Sequence, residues 1–420
     1  MSTDLLSTLA NQSSDTRSRA TESEDEHLWD GWLLTTVLVL VGFGLVMLYS
    51  ASAVMADQKF GDHLYLVKNQ LTKVAIGMIM LVGALRLDYR WYKRLIYPIL
   101  GGTFLMLVLV LIPGVGAVQN GARRWFSIAG ISFQPAEVAK IVIVMFLAYS
   151  VSKKGEDMGK FVVGFVPHFI VIGAFVGLLM QQPDFGSSVI LLTMMGLMLF
   201  VSGARLTYLT GFAALGGIGA YIAITSSPYR MERIMAFLDP WSHRKDIGYQ
   251  ISESLISIGS GGLTGRGLGN GHGKLGYVPE LWNDFIGTIV AEELGLLGIV
   301  FLTGLFAVFV WRGLRVAFNA RDDFGRYLAF GLTTILGMQA TANLCVVTGL
   351  LPTKGLTLPF VSFGGSSMVM ALFAVGVLLN ISKNEPDHWE ANREEREKRR
   401  REASWKKKKR KILNRRDDLN

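Results

Sequence analysis

Ten predominantly apolar stretches alternate with polar segments along the chain. They begin near Trp32, Leu71, Leu95, Ala136, Phe161, Ser187, Leu206, Phe285, Leu328 and Phe360. A helix needs ~20 apolar residues to cross a hydrocarbon core about 30 Å thick, and most of the stretches reach that length. The pattern predicts an all-α polytopic membrane protein with about ten transmembrane helices. The fourth stretch, residues 136–151, is short, and the turn at 181–186 is tight. The first stretch follows a polar, acidic segment with no basic n-region and lacks a clear small-residue cleavage site. It reads as a retained span and not as a signal peptide. An even number of spans puts both termini on one side.

Composition sharpens this picture. Half of the 420 residues are hydrophobic and 18% are charged, against about 25% charged in soluble domains. That balance argues against a soluble globular protein and against disorder. The one cysteine, Cys345, excludes an internal disulfide framework and a multi-cysteine metal site. The six histidines show no HExxH spacing, and no GxSxG elbow occurs.

Charge is unevenly distributed. Residues 1–30 carry seven acidic and two basic side chains, whereas residues 381–420 carry fifteen basic and nine acidic. Short loops on one side hold 12 basic residues, between Arg86 and Arg326; those on the other hold five, Lys59, Lys68, Arg123, Arg124 and Lys354. The positive-inside bias makes the richer side cytoplasmic, and both termini with it. Three parts follow: an acidic cytoplasmic segment, 1–30, a membrane domain, 31–381, and a basic cytoplasmic tail, 382–420. Segments 57–70, 114–134, 229–283 and 351–359 then lie outside, with 229–283 as one long periplasmic loop. The tail suits a membrane surface, where anionic lipid attracts each basic residue by about 1 kcal/mol. Nucleic acid is not an expected partner.

Several polar groups stand at the edges of spans, where they are costly and therefore informative. Glu137 and Lys140, three apart on one helical face, form either a structural ion pair or a cavity-facing cation with its acid. In Asn120-Gly121-Ala122-Arg123-Arg124-Trp125, two arginines defy the charge bias of their side. Their guanidinium forks suit phosphate, or they anchor at lipid headgroups beside Trp125. Asp184 reads as a helix cap at a turn. The run from Gly261 to Lys274 holds seven glycines. It superficially resembles a dinucleotide fingerprint, but no βαβ unit surrounds it. It reads as a flexible segment whose backbone N–H groups can approach an anion, or as a plain mobile loop. Asp284 stands at a first helical turn, as a dipole-stabilised cap or, if buried, as a base. The prolines and glycines of 351–367 break helix at the membrane surface, so that backbone lines a cavity or is buried in protein.

Taken in order, the segments 120–125, Gln134-Pro135-Ala136-Glu137 through Lys140, 183–188, Phe237-Leu238-Asp239-Pro240-Trp241, Gly267-Leu268-Gly269-Asn270 through Asp284-Phe285-Ile286, and 351–367 resemble the SEDS family (shape, elongation, division and sporulation). The resemblance covers about residues 31–381. It implies ten transmembrane helices and a bacterial inner-membrane glycosyltransferase that polymerises lipid II into peptidoglycan, releasing undecaprenyl pyrophosphate. Leu351-Pro352-Thr353-Lys354-Gly355-Leu356-Thr357 and the polar extensions at both ends resemble the septal branch more than the elongation branch. The family's catalytic Asp maps onto Asp284, and its motif positions map onto Arg124, Glu137 and Lys140. Arg233 and Lys274 are further candidates for holding the diphosphate. Many relatives carry Thr where this chain has Asn283, and Tyr where it has Phe363. The resemblance also implies a class B penicillin-binding protein transpeptidase (FtsI-like) and divisome regulatory proteins as partners. No cofactor is required by any spacing, though a divalent cation, Mg2+ or Mn2+, has a role open to it. Lipid II transport is the competing reading, from Glu137, Lys140, Asp184, Glu292 and Glu293 near the membrane, of which only Glu292 and Glu293 lie toward the midplane where a transporter would want them. Elongation-type polymerisation and a purely structural scaffold are the others.

Overall fold

The computed structural model describes residues 29–383, apart from 120, 129, 130, 276, 277, 279 and 354. The acidic segment up to residue 28, the basic tail from residue 384, Asn120 and Lys354 lie outside the described residues. The chain runs through α1 (Gly31–Phe60), α2 (Tyr65–Arg86), α3 (Arg90–Leu109), β1 (Ala117–Gln119), β2 (Ala122–Ile128), β3 (Ile131–Phe133), α4 (Pro135–Lys154), α5 (Val166–Gln181), α6 (Phe185–Val201), α7 (Leu206–Thr225), α8 (Pro228–Leu238), α9 (Tyr249–Gly261), α10 (Ile286–Asn319), α11 (Asp323–Val347) and α12 (Gly365–Lys383). A π-helical turn, Phe161–Phe165, extends α5 backwards. Among the described residues nine helices are long and apolar enough to cross a membrane, and α6 is a shorter apolar tenth. The all-α expectation holds, with one small addition. The three strands form an antiparallel sheet in the order β1-β2-β3, which no alternating hydrophobic pattern announced.

Helix boundaries follow local chemistry. Asp30, Asp184 and Asp322 each accept a backbone N–H of the first turn that follows, from Leu33, Ser187 and Gly325, satisfying donors that a helix start leaves free. α4 and α12 are the most enclosed spans, while α7 buries no residue. α2 and α12 pack most intimately, and small residues permit it. A Cβ on Gly376 would meet the Leu81 carbonyl oxygen at 2.4 Å, and one on Gly77 would meet Leu372 at 2.5 Å. Close backbone approach of this kind drives helix association in lipid, where apolar burial alone gives little. Phe309, Phe324, Phe360 and Tyr89 are fully buried in the core. At the end opposite the cavity described below, Arg312 of α10 pairs with Asp30 at 2.6 Å, and the Asp30 N–H donates to Ser382 of α12.

The long connection 229–283 carries helices of its own among its described residues. It contains α8 and α9, and the glycine-rich run after α9 folds back onto α10. There the Gly269 and Gly271 N–H groups donate to the Glu293 carboxylate, and those of His272 and Gly273 donate to Glu292, at 2.7–3.1 Å. Ser50 of α1 donates to Glu293 as well. An anion does meet these N–H groups, as the glycines predict, but it is the chain's own pair of buried carboxylates, and the segment is fastened where a flexible one was expected. α10 breaks at Gly295, whose φ of 66° lies in the left-handed region. The N–H groups of Leu296 and Leu297 beyond the break are taken up by the Gly262 and Leu263 carbonyls.

Candidate active site

An up-and-down path brings the first turns of α2, α4, α6 and α12 to one end, with the last turn of α7 and the later part of α11. Between them lies a cavity of about 860 Å3. Sheet residues Arg124 and Trp125, the turn at Asp184, Arg233 of α8, the segment Trp282–Asp284 and the last loop complete its wall. Five of the six sequence candidates line it: Asp284, Arg124, Glu137, Lys140 and Arg233. Lys274 does not. Its ammonium is 3.3 Å from Glu293 and donates to the Gly269 carbonyl, so it neutralises the buried carboxylates under the glycine run. It is withdrawn as a ligand for the diphosphate.

Asp284 precedes α10 by two residues. Its backbone carbonyl accepts from Asn343 Nδ2 at 2.8 Å, and the same nitrogen donates to the Leu356 carbonyl at 2.6 Å. One amide thus fixes the Asp284 segment against the last loop. The carboxyl is largely enclosed, and Oδ1 has no hydrogen-bond partner among the described residues. Burial, reinforced by the charge of Glu280 and opposed by Arg233, pushes it up to about 7. Desolvation therefore prevails over any cap-like stabilisation at this helix start.

The cations differ in how they are held. Lys140 pairs with Glu137 at 2.8 Å, and both are nearly buried, so the ion-pair reading and the cavity reading hold together. Arg124 donates from Nε to the Gln182 carbonyl at 2.6 Å and from one terminal nitrogen to the Pro183 carbonyl at 2.9 Å. This fastens β2 to the turn before α6. Arg233 donates to the Thr353 carbonyl at 3.0 Å and stacks on Tyr229. Asp184 acts as the expected cap, with both its oxygens engaged by Ser187. Two cavity cations escaped the sequence reading, Arg230 and Lys73. Arg230 lies in the segment already considered external, but Lys73 sits inside an apolar span with no motif around it.

The chain matches the FtsW/RodA/SpoVE family of cell cycle proteins across residues 31–387. It is 45% identical over 357 residues to a probable peptidoglycan glycosyltransferase FtsW of Geobacter metallireducens, covering 84% of this chain and 94% of that one. It is 42% identical over 355 residues to the stage V sporulation protein E of Bacillus subtilis, covering 84% and 96%. Among solved structures it resembles a chain of a peptidoglycan synthase complex that coordinates polymerization and crosslinking. There the TM-score is 0.72 at 29% identity, over 86% of this chain and 99% of that one. The rod shape determining protein RodA of Thermus thermophilus gives a TM-score of 0.64 at 28% identity, over 85% and 97%. With a match over most of its length, this chain belongs to the FtsW/RodA/SpoVE family, the SEDS proteins.

Proposed function

We propose that this chain is a septal peptidoglycan glycosyltransferase that polymerises lipid II, with Asp284 as its general base. The observation that carries the assignment of Asp284 is its enclosed carboxyl, pushed up to about 7, in a cavity lined by cations. The acceptor sugar's 4-hydroxyl attacks the anomeric carbon of the donor sugar, and the bond to the diphosphate breaks. Asp284 takes the hydroxyl proton, an effect contributing typically 10²–10⁴-fold. Arg124, Lys140 and Arg233 stabilise charge growing on the diphosphate through fixed dipoles and donors in a partly desolvated site. Glu137 holds Lys140 in place. Arg124 and Arg233 meet backbone carbonyls on the protein, so their positive charge is not cancelled.

Among the described residues no three acidic, imidazole or thiol groups form a preformed metal cage. A Mg2+ or Mn2+ ion would then arrive with the substrate diphosphate, held by few protein ligands, and no step is routed through it. The transport reading drew on Glu292 and Glu293, and both are committed to the glycine run and to Ser50. Placement in the bacterial inner membrane with both termini cytoplasmic, a cavity opening to the periplasm, and action at the septum beside a class B transpeptidase and divisome regulators complete the proposal. The test is polymerisation of labelled lipid II by the full chain with its transpeptidase. Asp284→Asn is expected to slow product formation by about 10²–10⁴-fold; glycan strands formed at the parental rate would refute the base assignment.

A further inference from the structure

One cationic side chain in the cavity belongs to none of the pairings described. Lys73 lies in the third turn of α2, roughly 12 Å along the helix from its start. Its ammonium rests over the Phe363 ring, 3.9 Å from the centroid. Its stem crosses the start of α12, where a Cβ on Gly365 would meet Cε at 3.2 Å. Among the described residues neither a carboxylate nor a carbonyl accepts from it. The other cavity cations are all engaged: Lys140 by Glu137, and Arg124, Arg230 and Arg233 by backbone carbonyls. An ammonium withdrawn from water without an anion is costly, and an aromatic face offsets only part of that cost. The platform beneath it is fixed, because the Phe363 N–H donates to the Trp282 carbonyl at 3.0 Å. The same short segment carries Asp284, so Lys73 and the base are referred to one rigid strut.

We propose that Lys73 is a substrate-binding residue that grips the diphosphate of the lipid-linked donor and holds it as the polyprenyl diphosphate leaves. The inference rests on the polymerase reading. An ammonium that lines the cavity with no carboxylate or carbonyl acceptor among the described residues suits phosphate oxygens as a point charge. Its depth below the start of α2 fits a headgroup whose tail stays in the bilayer. The glycine at 365 leaves room for the lysine stem and keeps the ammonium at the cavity wall.

The test measures binding and turnover separately. Trp125 and Trp282 line the cavity, so their fluorescence reports occupancy of the purified full chain in nanodiscs by undecaprenyl pyrophosphate, undecaprenyl phosphate or undecaprenol. The parent and Asp284→Asn are expected to bind the diphosphate and to discriminate against the alcohol. Lys73→Met, which keeps the stem over Phe363, is expected to bind the diphosphate about tenfold more weakly, the scale of one lost charge-assisted hydrogen bond. Its affinity for the alcohol is unchanged, and its loss in polymerisation appears chiefly in KM. Lys73→Arg restores most of the affinity. Equal diphosphate affinity in Lys73→Met and parent, or no headgroup discrimination by the parent, overturns the proposal. Displacement of the diphosphate by phosphatidylglycerol at comparable concentration also overturns it, because the site would then be one for bulk lipid headgroups. Headgroup discrimination lost in Lys73→Met, in a parent that makes no polymer, would leave the anion site standing and remove the polymerase reading.

Discussion

A carboxyl that ionises near neutrality has two separable consequences at Asp284. Below about pH 7 the group is protonated in the free enzyme and cannot accept the sugar proton. The kcat/KM for lipid II should therefore rise with pH through about 7, and the limb should vanish in the residual activity of Asp284→Asn. The second consequence concerns stability. The folded carboxyl titrates above its ordinary value of 3.8, so the native chain holds a proton that the unfolded chain has lost between those pH values. Stability from this group is present below about pH 4, declines as pH rises, and the deficit is complete above about 7. Asp284→Asn should melt higher than the parent at pH 8, and the difference should close toward pH 4. Arg124 makes a different point. Its two carbonyl partners are met by a planar fork, which a lysine cannot reproduce. Arg124→Lys should lose activity roughly tenfold or more despite its retained charge, at about the cost of one charge-assisted hydrogen bond, measured as polymer formed per minute.

At the scale of elements, the glycine run and the broken α10 form one unit. Gly265 has a φ of 80°, and a Cβ there would lie 2.1 Å from the Glu293 carbonyl oxygen. Gly265→Ala should lower stability by roughly 1–3 kcal/mol from backbone strain alone, more if the run detaches. Amide exchange at residues 266–273 should accelerate in that variant while α4 stays protected. The spans were legible in the sequence because a bilayer demands ~20 apolar residues per helix, and no other pattern satisfies it. Arg124, Glu137 and Asp284 were legible because charge at a span edge contradicts its surroundings. The target of the glycine run was not. Its acceptors, Glu292 and Glu293, lie about twenty residues onward in what reads as an uninterrupted apolar helix. Lys274 was misread for the same reason, since its counter-ion is distant in sequence and adjacent only after the chain folds back. Lys73 gave no signal because a lone lysine in an apolar run looks like one that extends its charge toward the interface.

For the whole molecule, the end opposite the cavity is closed by a buried ion pair. Arg312 and Asp30 are both shielded, and Asp30 also caps α1 by accepting the Leu33 N–H, while its own N–H donates to the Ser382 hydroxyl. Removing one partner leaves an uncompensated charge, which costs about 3–5 kcal/mol. Arg312→Met should lower the melting temperature markedly, and adding Asp30→Asn should recover part of the loss. The cavity end depends on a smaller device, the Asn343 amide shared between the Asp284 and Leu356 carbonyls. Exchanging its NH2 for oxygen, as in Asn343→Asp, preserves volume and shape yet turns a donor facing two acceptors into a third acceptor. Two stretches of chain far apart in sequence, both of them walls of the cavity, would then be driven apart by mutual repulsion, so that their closure rests on a single nitrogen atom.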